Sequence, residues 1–497
     1  MTLHLCYRLN ANWPPGAWIA HCRRGASEVE VVHGAGVAAT PDWFGEVIWD
    51  GPYDDGAFDT TDVVFGSGAR RRDHGLTFVS SASTVDRLQA FERGDDTWVS
   101  NSLACLLAVS GAKLDVGYRG YSHAFRTITR GLRRHQRVIP TSAEPVRLVY
   151  FNNIRWDGAR LTDVPKPNPR RDLTSFAGYT AFVDGALARL AENMGVAARP
   201  VRYEFLGTVS SGYDSAAVAA LTRRHGLREV ITFTEARSGQ PDSGADVGAA
   251  LGLTVRSFSR DGWQTGAAPE LPFLAGDGKG EDVYFRAAEP LLRGRVLVTG
   301  FHGDKMWDAA TRALSPDIVR GDQSGLSLTE YRLWAGFIHL PVAFLGVRQI
   351  RDVHALAHSP ELAPWDIGGS YTRPICRRLV EEAGVPRGAF GQRKNAASVH
   401  FYYHGQFLSR DSTSDFLAWL DEHPAAPSRP VLGRRTRAQY VTGLAAELLQ
   451  RTAARSPSAL HVLQSVGDRL AAYANRERLF VHVFPWAIER VMDRYRS

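Results

Sequence analysis

Three short segments of this chain combine small residues with charged ones. The first, at positions 210–215, reads Ser-Ser-Gly-Tyr-Asp-Ser and separates a predicted strand over 203–209 from a predicted helix over 215–225. Small side chains let the backbone approach an anion closely, and the free N–H groups at a helix start favour negative charge. A carboxylate beside a phosphate requires a cation, so Asp214 indicates Mg²⁺. A plain turn with a Ser or Asp helix cap explains the same residues.

The second segment, at positions 299–305, reads Thr-Gly-Phe-His-Gly-Asp-Lys and follows a predicted strand over Arg295–Thr299. Asp304 could supply a second carboxylate to the same metal. His302 carries a side chain that titrates near neutral pH, so it could act as a base. Two other interpretations stay open: a glycine-rich turn with a surface pair of Asp304 and Lys305, and a turn histidine that hydrogen-bonds its own backbone.

The third segment reads Gly-Gln-Arg-Lys at positions 391–394, and Arg373 lies about twenty residues before it. Only five of the 59 basic residues are lysines, so Lys394 stands out against an arginine background. An ammonium group is a compact point charge that suits phosphate.

The surrounding pattern predicts the elements that hold these segments. Strands over 203–209, 229–234, 254–259 and 295–299 alternate with helices over 215–225 and 242–251. This alternation predicts a parallel α/β sheet, in which ligands sit at the carboxyl ends of the strands.

Three further regions frame this sheet. A helix from Thr174 follows a proline-rich linker over 164–169. The first 150 residues or so favour short strands, at 27–32, 61–65, 76–80 and 97–100, and then a short helix over 101–109. A helix over 436–452 is predicted after a proline-rich break at 422–433.

Composition excludes several classes of protein. The four cysteines form no C-x-x-C pair, so a cysteine-based zinc site or a disulfide framework is not expected, and we expect a cytoplasmic protein. The longest apolar run, over 333–347, is too short to cross a bilayer, and no membrane partner is expected. The net charge of +7 is spread along the chain, which makes a nucleic-acid partner unlikely on charge alone.

Taken together, the three segments resemble the asparagine synthetase-like family of ATP pyrophosphatases. The family loop S-G-G-x-D-S is matched with Ser211 in place of the first glycine. The motif S-G-x-G-A-D-E-L-F is matched by T-G-F-H-G-D-K-M-W at 299–307, and a carboxyl-terminal Arg-Lys motif by the segment at 392–394. Order and spacing agree over roughly residues 172–410.

The resemblance implies an α/β protein of three parts. Residues 1–163 would form a degenerate glutaminase-like domain of the Ntn type, which is β-rich. Residues 170–410 would form a PP-loop synthetase domain like the adenine-nucleotide α-hydrolases, with a parallel sheet, and residues 411–497 its helical extension. The family's nucleophilic cysteine is replaced by Thr2, and Cys6 comes four residues too late and is expected in a strand, so glutaminase activity is not expected. The relatives β-lactam synthetase and lasso-peptide cyclase share this loss.

The resemblance also implies a reaction. ATP would adenylate a small-molecule or peptide carboxylate and release pyrophosphate, and an amine would then attack the acyl-adenylate, form an amide and release AMP. Asp214 and Asp304 would hold Mg²⁺, and Lys394, helped by Arg373, would neutralise the leaving pyrophosphate. The nucleotide would be bound by the following residues: Ser210, Ser211, Gly212, Asp214, Ser215, Gly300 and, near the adenine, Phe233 and Thr234.

Departures from the family pattern and two alternatives qualify this expectation. Phe301 stands where relatives carry Glu or Tyr, and Lys305 where they carry Glu, so the acyl substrate and the amine are left open, as is a homo-oligomeric state. The alternatives are an ATP pyrophosphatase that modifies an RNA base and a nucleotide-binding pseudoenzyme that scaffolds a partner. No G-x-S-x-G, Walker A or HExxH motif is present.

Overall fold

Two β-sheets form the amino-terminal part of the chain. The structure is a computed structural model and describes residues 3–73, 75–312, 314–369, 371–401, 408–423, 437–453, 466–467, 470 and 479–496. The strands of the two sheets are β1 (His4–Leu9), β2 (Trp18–Arg23), β3 (Glu28–His33), β4 (Ala38–Ala39), β5 (Trp43–Trp49), β6 (Val64–Arg72), β7 (Gly75–Val79), β8 (Leu88–Arg93), β9 (Asp96–Ser100), β10 (Val138–Ile139), β11 (Val146–Val149), β12 (Asn153–Trp156) and β13 (Leu161–Val164).

The two sheets pack face to face. One has the order β1-β3-β2-β9-β8-β11-β10, and the other has the order β13-β12-β7-β6-β5-β4. Trp18 of the first sheet meets Phe44 of the second with ring centroids 5.1 Å apart. Val29 and Val31 are buried in the same layer because alternate residues of a strand share a face. The predicted β-rich region is therefore confirmed, although the strand expected over 61–65 begins only at Val64 and runs on to Arg72.

The helices cover these sheets and a third one. They are α1 (Leu103–Ser110), α2 (Tyr121–Arg126), α3 (Phe176–Met194), α4 (Tyr213–Thr222), α5 (Ala245–Ala250), α6 (Leu271–Asp277), α7 (Glu289–Leu292), α8 (Gly303–Met306), α9 (Leu328–Ala335), α10 (Ile350–Ala357), α11 (Pro374–Glu382), α12 (Arg410–Glu422), α13 (Arg437–Ala453) and α14 (Val483–Arg496).

The segment between β13 and α3 connects the amino-terminal sheets to the rest of the chain. It forms neither a helix nor a strand, as expected for a proline-rich linker, and the buried Lys166 donates to Asn153 Oδ1 at 2.7 Å. Helix α3 then begins after Ser175, whose hydroxyl accepts from the N–H of Gly178 at 3.1 Å. Its apolar stripe is buried as predicted, from Phe176 to Leu190.

The third sheet is parallel throughout, which confirms the predicted strand–helix alternation. Its strands are β14 (Glu204–Thr208), β15 (Glu229–Phe233), β16 (Thr254–Phe258), β17 (Arg295–Thr299) and β18 (Ile338–Pro341). They are ordered β16-β15-β14-β17-β18, so β14 and β17 are neighbours although about 90 residues separate them in the chain. Strand β18 was not predicted.

The carboxyl-terminal part is helical where it is described. Helix α13 confirms the prediction over 436–452, whereas positions 424–433 of the proline-rich break lie outside the described residues. Helix α14 packs on α1 and α6, so it touches both the amino-terminal region and the parallel-sheet region. Within the described parts of the chain, no helix has the length and apolar character needed to span a membrane.

Candidate active site

The first predicted segment forms the turn from β14 into α4. The helix begins at Tyr213 and not at Ser215 as predicted, so Asp214 lies in its first turn. The hydroxyls of Ser210 and Ser215 lie 2.9 Å apart, and the N–H of Gly212 donates to Ser210 Oγ at 3.2 Å. These bonds fold the turn into a tight loop at the carboxyl edge of the sheet.

The second segment meets this loop because β17 is paired with β14. Gly300 and Gly303 make the approach possible: a Cβ atom on Gly300 would lie 2.6 Å from the Cβ atom of Asp214, and one on Gly303 would lie 2.6 Å from its Cγ atom. Distances this short are not tolerated, so the two glycines are required by packing against Asp214.

Three of the predicted charged residues act electrostatically on a fourth, Asp214. Asp214 forms an ion pair with Arg373, whose side chain is 2% exposed. Burial raises the pKa of Asp214 to about 6, while Arg373 opposes this shift, Asp304 adds to it and Lys394 opposes it. The exposed Lys394 and the carboxylate of Asp304 are therefore both close enough to act on Asp214.

Two carboxylates at this edge are suited to Mg²⁺. Magnesium in nucleotide sites is held by one or two carboxylates and by substrate phosphates, which complete the oxygen shell. Among the described residues no group of three or more metal-binding side chains occurs, so phosphate oxygens would have to supply the remaining ligands. Asp214 and Asp304 fit such a site, provided that Arg373 shares the Asp214 carboxylate with the metal or releases it.

His302 lies in a different environment from these charges. Its backbone has φ = +74°, and its ring stacks on Phe344 with centroids 4.8 Å apart. Neither ring nitrogen has a hydrogen-bond partner among the described residues, which contradicts the alternative of a turn histidine bonded to its own backbone. Burial, and then the nearby Arg320, lower the pKa of His302 to about 3. Its role as a base remains a prediction.

The remaining predicted residues lie along the same edge. Phe233 is buried, and its ring meets that of Tyr284 edge-on at 4.8 Å, whereas Thr234 is exposed and donates its N–H to Phe258 O at 3.0 Å. Phe301 contacts the rings of His339 and Phe285 at 5.5 and 6.4 Å. An adenine position beside Phe233 and Thr234 stays a prediction.

The sequence did not indicate one further acidic residue of the site, Asp242. Its Oδ1 accepts from the hydroxyl of Ser211 at 2.6 Å, so this side chain links the end of β15 to the loop after β14. The signal was present, since Asp242 follows the second predicted strand at the same edge of the sheet. Asp242 falls within the predicted helix over 242–251, whereas the helix in the structure, α5, begins only at Ala245.

A cleft of about 540 Å³ elsewhere is lined by residues of β4 and β5, by Tyr53 and by Arg70. This cleft contains none of the four charged residues Asp214, Asp304, Arg373 and Lys394, which we call the charged cluster. The chemistry of the charged cluster indicates a function more directly than the cleft does. Comparison of the sequence with protein-family models and with curated proteins finds no match.

Proposed function

We propose that this protein is an ATP-dependent amide synthetase that forms AMP and pyrophosphate and acts on a small-molecule or peptide carboxylate and an amine. The observation that supports this is the meeting of Asp214, Asp304, Arg373 and Lys394 at the carboxyl edge of a parallel sheet. Two carboxylates and two cations around a glycine-containing turn suit a triphosphate with its metal.

The first step is adenylation. The ATP triphosphate would lie along the loop at 210–215, and Asp214 and Asp304 would hold Mg²⁺, which would neutralise phosphate charge when bound. A substrate carboxylate oxygen attacks the α-phosphorus, the bond to the bridging oxygen breaks, and pyrophosphate leaves with that electron pair. Lys394 and Arg373 stabilise the negative charge that grows on the leaving oxygen, a form of electrostatic catalysis in which one donor contributes about 3 kcal/mol.

The second step is amide formation. The amine nitrogen attacks the acyl carbon of the adenylate, the carbon–oxygen bond to AMP breaks, and the surplus proton of the amine passes to water. Phe301 has no group that accepts a proton or a hydrogen bond, so it contributes shape only. Glutamine hydrolysis has no part in the proposal, and the amine is taken up directly.

The test is an assay of the purified full chain with ATP, Mg²⁺ and a panel of carboxylates and amines. We expect AMP and pyrophosphate in equal amounts, and about 100-fold less of both from Asp214→Asn or Lys394→Ala. Lys113→Ala, at another exposed lysine, serves as the matched control and should behave as wild type. Formation of ADP, or unchanged turnover in both site variants, would refute the proposal.

A further inference from the structure

Ser211 and Tyr213 hold the segment that carries Lys394. We propose that these two residues of the loop act as a brace, defined as the contacts of Ser211 and Tyr213 with residues 390–395, and that they are positioning residues for Lys394. The catalytic meaning of the brace rests on the proposed function, whereas its existence rests on the contacts alone.

Tyr213 forms the apolar half of the brace. It is completely buried, and the ring of Phe390 meets it edge-on with centroids 5.9 Å apart. Its hydroxyl accepts a hydrogen bond from Arg377 at 2.5 Å, and Arg377 is itself paired with Glu381 at 3.0 Å. Glu381 also pairs with Arg387 at 2.8 Å. Arg387 lies just before residues 390–395, so the chain that enters this segment is attached to the same set of side chains as Tyr213.

Gly391 shows how tightly the segment fits. Its N–H donates to the carbonyl of Ser211 at 2.7 Å. Its φ is +68°, and a Cβ atom at this position would lie no more than 2.9 Å from three carbons of the Tyr213 ring. Only glycine satisfies both conditions, because other residues seldom adopt this conformation and would meet the ring.

Ser211 provides the second tie, on the far side of Lys394. Its hydroxyl donates to Asp242 Oδ1 at 2.6 Å, and the same oxygen accepts a longer bond of 3.4 Å from Asn395 Nδ2. Lys394 therefore lies between two attachments, at Gly391 and Asn395, that both lead to Ser211. A serine at this position is a departure from the glycine of the loop pattern, so the second tie depends on a residue that the pattern does not require.

The brace matters because the lysine side chain is long and exposed. A flexible ammonium group can act at a fixed phosphate only when its backbone is fixed, and a misplacement of about 1 Å costs about 100-fold in rate. Since the attachments end on the loop that would hold the triphosphate, loop and lysine move as one unit.

The experiment uses the full chain and two measurements, hydrogen exchange and steady-state pyrophosphate release. We expect Gly391→Ala to raise amide exchange over residues 390–395 about tenfold and to lower kcat about 100-fold. The KM for ATP should change little, because the removed interaction acts on the leaving group. Gly388→Ala is the control, since a Cβ there meets nothing within 4 Å.

Two milder variants separate the halves of the brace. Tyr213→Phe removes only the bond to Arg377, and Ser211→Ala removes only the bond to Asp242. Each should raise exchange over residues 390–395 without unfolding the chain. Unchanged exchange in Gly391→Ala, or a raised KM for ATP with unchanged kcat, would overturn the brace. If the wild-type protein releases no pyrophosphate, the proposed function is refuted. Hydrogen exchange over residues 390–395 would then be the only measurement that tests the brace.

Discussion

At the level of single residues, two kinds of partner could neutralise the carboxylate of Asp214, an arginine and a metal ion. Arg373 neutralises Asp214 in this structure, while the repulsion from the nearby carboxylate of Asp304 is of the kind that a bound cation would relieve. The residue types and their spacing predicted both carboxylates and both cations, but not the ion pair, because sequence spacing does not show which side chains meet across α4 and α11. If the proposed function holds, binding of nucleotide and metal would redistribute the charge around Asp214.

His302→Asn tests whether the adjacent imidazole takes part. Asparagine tolerates the positive φ of this position. The pKa of His302 is lowered from 6.5 to about 3 in the folded chain, so between these pH values only the unfolded chain binds the proton. The contribution of neutral His302 to the free energy of unfolding is therefore fully present above pH 6.5 and is lost as the pH falls towards about 3.

Between pH 6.5 and 4.5, wild type should lose about 2 kcal/mol of unfolding free energy more than the variant. Urea titrations at the two pH values measure this difference. Because a neutral, buried imidazole is a weak base, we also expect AMP formation by His302→Asn to stay close to wild type. A loss of activity with an intact fold would instead support the role of His302 as a base.

At the level of elements, the sequence predicted β14 to β17 within one residue at each end, and β14, β15 and β17 contain apolar runs between polar turns. Strand β18 was missed because the apolar run that contains it extends past Pro341 and has no alternation. Strand β6 was misplaced because its end is three arginines. Arg71 and Arg72 are accommodated there by pairing with Asp42 and Asp59. Both aspartates lie outside the strands and more than ten residues from their arginines, so these pairings leave no local signal.

Gly303→Ala tests the contact between α8 and α4. The added methyl group would lie 2.6 Å from Asp214 Cγ and 2.7 Å from the Trp307 ring. We expect a loss of about 1–3 kcal/mol of stability from overpacking and, because Asp214 is displaced, about 100-fold slower pyrophosphate release. Urea unfolding and the pyrophosphate assay give the two values. Gly195→Ala, where the nearest atom lies at 3.4 Å, is the control and should change neither.

At the level of the whole molecule, the amino-terminal sheets are joined to the parallel-sheet region by buried charges. Arg332 of α9 donates to Glu46 of β5 at 2.7 Å and to Asp86 at 2.8 Å, and each of the three side chains is 3% exposed or less. Glu330, two residues before Arg332 in the same helix, accepts from Ser102 and Tyr495, so the start of α1 and the end of α14 meet at α9. These contacts attach the β-rich amino-terminal region to the parallel-sheet region through buried polar groups.

Arg332→Met measures the strength of this junction. The substitution keeps much of the side-chain volume but leaves Glu46 and Asp86 buried without their cation, which should cost about 3–5 kcal/mol of unfolding free energy. Arg8→Met is the matched control, because Arg8 and Glu30 are 64% and 52% exposed and such pairs contribute about 0–1 kcal/mol. Thermal and urea unfolding of both variants give the comparison. Because the junction lies outside the charged cluster, ATP turnover below the unfolding temperature should persist in Arg332→Met, and equal stability of the two variants would show that the buried charges do not join the two regions.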